Sequence, residues 1–194
     1  MVKYHKETIN SNGISSSSKK NYPLKELSHI LLFKMKTVNI LHQCNCLTVR
    51  AHGLSEPIEK KYPEAAIYSK RRPMGRRNLA IPEDRSSPGT FIISDSVISL
   101  FGQWRPGKIG SPYFSSYPES NPIETTEQRL LWFREGLKKI GMHFSTLNQK
   151  ITIAVPHGIG CGLAGGCWKD YLESLTDFQE EYREWITITL YQLK

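Results

Sequence analysis

Apolar positions along the chain gather into short β-branched runs, set apart by glycine, proline and serine, with two longer stretches of helical spacing between them. Thr37-Val38-Asn39-Ile40-Leu41-His42-Gln43 reads as a buried strand that runs into the loop Cys44 to Gly53. A short helix follows from Leu54-Ser55 to about Lys61, with Ser55 placed to cap it and Pro57 suited to its first turn. Thr90 to Ile93 and Val97 to Phe101 flank Ser94-Asp95-Ser96, the pattern of a β-hairpin. Thr125 or Thr126 caps a helix whose stripe is Leu130, Leu131, Phe133, Leu137 and Ile140, and Gly141 is read as its end. Ile151 to Val155 is a further strand, Trp168 to about Tyr182 a further helix, and Trp185 to Tyr191 a closing strand.

Two strand-loop-helix units, a hairpin and a last strand imply a single α/β domain, a three-layer α/β/α sandwich around a mixed sheet. Met1 to about Lys20, which carries the run Ser15 to Ser18, reads as a flexible leader, and Tyr22 to Phe33 as a short helix or added edge strand. We therefore divide the chain into a flexible or peripheral leader, 1–34, and a folded domain, 35–194. Gly110 to Asn121, rich in Ser, Pro and Tyr, is expected to be an ordered insertion or a lid.

The most informative stretch is Pro156 to Trp168, which places five glycines in the nine residues from Gly158 to Gly166. Glycine takes positive φ without steric cost, so such a loop can turn several N–H groups into one concavity. The following helix adds its own free N–H groups, and together these suit a phosphate or diphosphate. The pattern is neither that of a P-loop nor that of a Rossmann fingerprint. A tight crossover with no ligand is the competing explanation.

Composition narrows the picture a little. Of 194 residues, 39% are hydrophobic and 23% charged, the balance of a water-soluble globular chain, and no apolar run is long enough to span a bilayer. The net charge of +8 favours anionic partners. The basic stretch Lys70 to Arg85 could meet nucleic acid, but without interleaved aromatic side chains a solvated basic loop is the preferred reading. With no export signal, and with four cysteines in two loops rather than in a disulfide framework, we expect an intracellular protein, cytoplasmic or nuclear. Cys44, Cys46, Cys161 and Cys167, with His52 and His157 nearby in sequence, raise a zinc site; their spacings match no common zinc motif, and thiols packed under tight loops are preferred.

Several of these segments resemble macro domains, particularly the branch of the yeast-type ADP-ribose 1''-phosphate phosphatase and its phage relatives. The resemblance rests on His42-Gln43-Cys44-Asn45-Cys46 with Gly53 and Lys61-Tyr62-Pro63-Glu64-Ala65, on Val97 to Gln103, on Gly158 to Gly166, and on Thr189 to Leu193, in the family's order over about Met35 to Leu193. It implies an ADP-ribose site, with Asn45 on the distal ribose, Gly53 and Leu54 beside it, and Gly158, Ile159, Gly160, Cys161 and Gly162 around the diphosphate. Cys44, Gln103 and Trp104 complete the implied ligand set. No cofactor, metal or membrane is implied, and the chain is expected to act as a monomer. The implied reaction is hydrolysis at C1'' of the distal ribose, of a phosphate or an ADP-ribosyl link, with His52 as preferred base, His42 second and Asn45 orienting the ribose; a reader without catalysis is the alternative. The chain departs from the family at Arg50-Ala51-His52-Gly53, where a glycine triplet is usual, and has no aspartate before Lys36 to grip adenine.

Overall fold

In the computed structural model, which describes residues 2–10, 13–22, 38–118 and 123–193, the chain organises around strand β3 (Val38–Asn45). Its side chains alternate across the sheet, as strand geometry requires. Leu41 enters the core beneath the long helices, while Ile40 packs on the opposite face with Ile58 and Val97. β3 pairs in parallel with β5 (Val97–Gln103) on one side and with β6 (Ile151–Pro156) on the other. β7 (Ile186–Leu193) extends the parallel set beyond β6, and β4 (Phe91–Ser94) closes the other edge as the antiparallel partner of β5.

The hairpin is as expected, its two-residue turn placing Asp95 at φ 53°. With β1 (Val2–Asn10) and β2 (Gly13–Tyr22) beyond β7, the whole sheet has the order β2-β1-β7-β6-β3-β5-β4. Because β3, β5 and β6 run in parallel, their carboxyl ends share one edge, which is where α/β sheets form their crevices.

One face of the sheet is covered by α3 (Thr126–Thr146) and α4 (Trp168–Glu181). Phe133, Leu137 and Ile140 of α3 and Tyr171, Leu175 and Phe178 of α4 pack there on Ile98, Leu100, Ile153 and Val155. Each such side chain, fully buried, contributes roughly 1.5–3 kcal/mol. The other face carries α1 (Ser55–Lys61) and the connections that follow it, which bury Cys44, Cys46, Tyr68 and Phe101 in a second cluster. The expected α/β/α layering and mixed sheet are present.

Four expectations are corrected. The polar stretch read as a leader pairs with the sheet: β1 (Val2–Asn10) runs antiparallel to β7, and β2 (Gly13–Tyr22) antiparallel to β1. Main-chain groups of an otherwise open β7 edge supply that pairing, so no apolar pattern is needed to specify it. The segment from residue 23 to residue 33 lies outside the described residues.

Gly141 does not end α3, which continues to Thr146; a Cβ at Gly141 would stand 2.4 Å from the Tyr182 ring, so the glycine is a point of close packing rather than a stop. Thr125 does cap the helix, its hydroxyl accepting from the Gln128 N–H at 3.1 Å, but Leu131 of the expected apolar stripe is exposed. Ser55 does not cap α1, whose N-cap is Leu54, because its hydroxyl is engaged elsewhere, as described next.

Candidate functional site

The carboxyl ends of β3, β5 and β6 open into a cleft of about 830 Å³. Two loops from distant parts of the chain form its walls. The first follows β3, and its shape is set by Asn45: the Oδ1 atom accepts from the N–H groups of Leu47 (3.0 Å) and Thr48 (2.8 Å), and Nδ2 donates to Thr48 Oγ1 at 2.9 Å. A side-chain amide that caps the following turn in this way holds the loop close to the strand end. Arg71 then fixes the loop from outside, donating to the carbonyls of Asn45 (3.1 Å) and Thr48 (2.8 Å) while lying over the Tyr68 ring.

The second wall is the glycine turn after β6. Gly158 and Gly160 both adopt positive φ, 76° and 75°. Alternate amides are spent inside the turn: His157 N–H donates to Tyr191 O (2.8 Å), Ile159 N–H to Pro156 O (3.1 Å) and Cys161 N–H to Gly158 O (2.9 Å). The amides of Gly158, Gly160 and Gly162 have no backbone acceptor among the described residues, and all three glycines line the cleft. Three free amides at every second residue of a curled loop form a cradle suited to an oxyanion. The walls nearly touch at the mouth, where a Cβ on Gly53 would lie 3.3 Å from Leu163 Cδ1.

Most of the residues singled out from the sequence meet here. His42, Asn45, His52, Gly53, Leu54, Gln103, Gly158, Ile159, Gly160 and Gly162 line the cleft. Three do not. Cys44 falls on the thin face of the sheet by strand alternation and is buried against Tyr68 and Phe101; Trp104 packs on the same cluster. Cys161 is half-buried with its thiol donating to Ile159 O at 3.3 Å.

Gln43, Arg50, Ser55, Tyr68, Asn78, Tyr113, Tyr117 and His157 were not expected among the ligand-contacting residues, yet they line the cleft too. Tyr113 and Tyr117 come from the stretch read as an insertion or lid, which contains the short helix α2 (Pro112–Ser115); residues 119–122 lie outside the described ones. The Ser, Pro and Tyr content of that stretch was the available signal.

The two histidines have different surroundings. His42 is buried, with Nε2 2.8 Å from Ser99 Oγ and Nδ1 3.2 Å from Ser55 Oγ. Burial without a neighbouring carboxylate pushes its imidazole down to about 4, so it is neutral at pH 7 with both ring nitrogens engaged. His52 is exposed on the cleft wall.

Burial also raises the Cys44 thiol to about 12 and lifts Cys46 further, so both stay protonated at pH 7. Among the described residues, no group of three His, Cys, Asp or Glu side chains is placed to share a metal ion. The basic stretch loses Arg71 to the interior, and Arg72 pairs with Asp84 at 2.7 Å. Among the described residues, no helix is long and apolar enough to cross a membrane.

A parallel strand core with a capped loop at one strand end and a glycine turn at the next defines a macrodomain-like fold. The chain is similar in structure to the macrodomain of Mycobacterium tuberculosis DarG, with a TM-score of 0.55 and 18% identity over 82% of this chain and 91% of that one. At that identity the likeness is one of fold. No protein-family model matches the sequence, and no curated protein matches it.

Proposed function

We propose that the cleft binds ADP-ribose or a phosphorylated or protein-linked derivative of it, and that the protein hydrolyses a bond at C1'' of the distal ribose. The observation that carries this reading is the row of free amides at Gly158, Gly160 and Gly162, facing the same cleft as the Asn45 loop. A diphosphate held on those amides leaves the distal ribose toward Gly53 and His52, which line the same cleft. The ligand-binding unit is assigned to residues 35–194, with the β1–β2 hairpin as an edge addition separated from β6 by β7.

In this scheme the backbone donors bind and orient. His52 takes a proton from the attacking water, whose oxygen bonds to C1'' as the bond from C1'' to the phosphate or protein group breaks, and that group departs with the bonding electron pair. Asn45 acts through the loop it caps, since its side-chain oxygen already accepts from two amides and one hydroxyl. His42 is a positioning residue, which clamps α1 to β5 through Ser55 and Ser99.

ADP-ribose 1''-phosphate is our preferred substrate, because Arg50, although a departure from the family's glycine triplet, adds to the cleft wall that carries His52 a cation suited to a terminal phosphate. A second reading, a reader that binds without turnover, is supported by the burial of His42, which withdraws one of the two candidate bases from solvent in the cleft.

Calorimetry with ADP-ribose, paired with product analysis on ADP-ribose 1''-phosphate and on ADP-ribosylated protein, tests both readings. Binding with release of phosphate or protein supports hydrolysis, and binding with no product supports the reader. Absence of any ADP-ribose binding ends both.

A further inference from the structure

Arg129 is among the largest fully buried side chains of the molecule, at 2% exposure, although it belongs to a helix that otherwise presents charges to solvent. Its guanidinium makes four contacts that converge on the cleft. Nε donates to Glu124 Oε1 at 2.8 Å, Nη2 to Arg105 O at 2.9 Å, and Nη1 to both Gly107 O at 2.7 Å and Ala164 O at 2.8 Å. Gly107 and Ala164 both line the cleft, one from the loop after β5 and the other from the glycine turn after β6. One side chain therefore ties two walls of the site to each other and to α3.

Glu124 completes the arrangement. Its carboxylate also accepts from the amides of Trp104 (2.9 Å) and Arg105 (3.0 Å) and from Arg105 Nε (3.2 Å). Arg105 in turn lies 3.6 Å above the Phe114 ring, next to Tyr113 of the cleft wall. An ion pair removed from water gains little net stability over an apolar replacement, so burying two arginines and a glutamate asks for another reason. Fixing irregular backbone supplies one: the carbonyls of Arg105, Gly107 and Ala164 sit in loops and need a donor, and a guanidinium is a rigid fork with five of them.

We infer that Arg129 is the positioning residue of the site, the strut that holds the glycine turn and the loop after β5 at the separation the ligand requires. For the identity of that ligand the inference rests on the function proposed above; the strut itself does not. Lysine keeps the charge but has a single nitrogen, which cannot reach three carbonyls and a carboxylate together. Arg129→Lys therefore releases some of the loop contacts while leaving the helix in place.

The test measures amide hydrogen exchange and ADP-ribose affinity for the wild-type protein, Arg129→Lys, and the control Arg134→Lys, which alters another arginine of α3, one bonded to Ser174 at 2.8 Å. In Arg129→Lys, exchange across 104–110 and 160–166 rises by about tenfold or more, strands β3, β5 and β6 keep wild-type protection, and ADP-ribose affinity falls by about tenfold or more, since small misplacement of binding groups is costly. Arg134→Lys changes neither.

Wild-type protection of both loops in Arg129→Lys overturns the inference, and so does acceleration spread evenly through the sheet, the mark of a residue that serves only global stability. Should Arg129→Lys not fold, Glu124→Gln, which removes the charge while keeping an acceptor at the same place, is read by the same loop-against-sheet comparison and the same two outcomes. If the wild-type protein binds no ADP-ribose, the proposed ligand fails while the exchange pattern still decides the strut.

Discussion

Gly160 lies so close to Tyr171 that a Cβ at the glycine would stand 2.2 Å from Tyr171 Cε1. The turn that carries the free amides is thus seated directly on the ring that begins the buried face of α4, and the seat admits no side chain. Gly158, two residues earlier with φ 76°, has nothing within 4 Å of the same construction. Gly158→Ala should cost only the left-handed strain, about 1–2 kcal/mol. Gly160→Ala pays that strain and must also displace either the ring or the turn, so we expect a loss of more than about 2 kcal/mol, together with loss of ADP-ribose binding. Thermal or urea unfolding of the two variants makes the comparison; equal losses would mean that the ring yields freely.

The buried imidazole of His42 predicts an acid-sensitive fold. Its folded-state value, about 4, lies below the ordinary 6.5, so above pH 6.5 both folded and unfolded chains hold it neutral and it adds no pH dependence. Between pH 6.5 and about 4 the unfolded chain binds a proton that the folded one refuses, and stability falls with the pH by on the order of 3 kcal/mol in all. Urea unfolding from pH 7.5 to pH 4.5 reads this slope. His42→Gln should flatten it, whatever that variant does to stability at pH 7.5, and an unchanged slope would assign the acid sensitivity to other groups.

The parts of this fold that were legible in the sequence are those specified locally. The strands at Val38 and Ile151, the hairpin around Asp95 and the glycine turn each carry their own apolar period or their own turn residues, and each was located to within a few residues. What escaped is specified by distant partners. The β1–β2 hairpin is chosen by the open edge of β7, which Ser15 to Ser18 cannot announce. Gly141 has the look of a stop signal, and only the Tyr182 ring above it explains why it is not. Arg71 was read as part of a solvated basic loop and Arg129 was not singled out, because nothing near them in sequence reveals that loop carbonyls at Thr48 and Ala164 await a donor. The two loops that line the cleft were therefore visible through the glycines and Asn45, while the side chains that hold those loops in place were not.

The four thiols should separate cleanly by reactivity. Cys167 is exposed, Cys161 is half-buried with its thiol raised to about 11, and Cys44 and Cys46 are buried with theirs raised further. At pH 8 a thiol raised to about 12 is thiolate in only roughly one molecule in 10,000, and the thiolate is the reactive form. Native protein treated with iodoacetamide should therefore be labelled first at Cys167, with Cys44 and Cys46 labelled only after denaturation. Mass spectrometry of the digested protein reads the order; early labelling of Cys44 would show that the cluster with Tyr68 and Phe101 opens in solution.

The choice between enzyme and reader turns on His52. In the proposed reading binding rests on the amides of the glycine turn, the loop capped by Asn45, and Gly53, none of which uses the His52 side chain. In the proposed reading turnover also needs a group that takes a proton from the attacking water, and we assign that role to His52, exposed in the first loop on the cleft wall. His52→Ala should then reduce the turnover of ADP-ribose 1''-phosphate or of an ADP-ribosylated protein by about 10²–10⁴ while ADP-ribose affinity stays within about threefold of wild type. Steady-state kinetics beside calorimetry separates the two quantities. A parallel loss of affinity would make His52 a binding residue, and unchanged turnover would remove it from the chemistry and move the search to other polar side chains that line the cleft, Arg50 and Tyr117 among them.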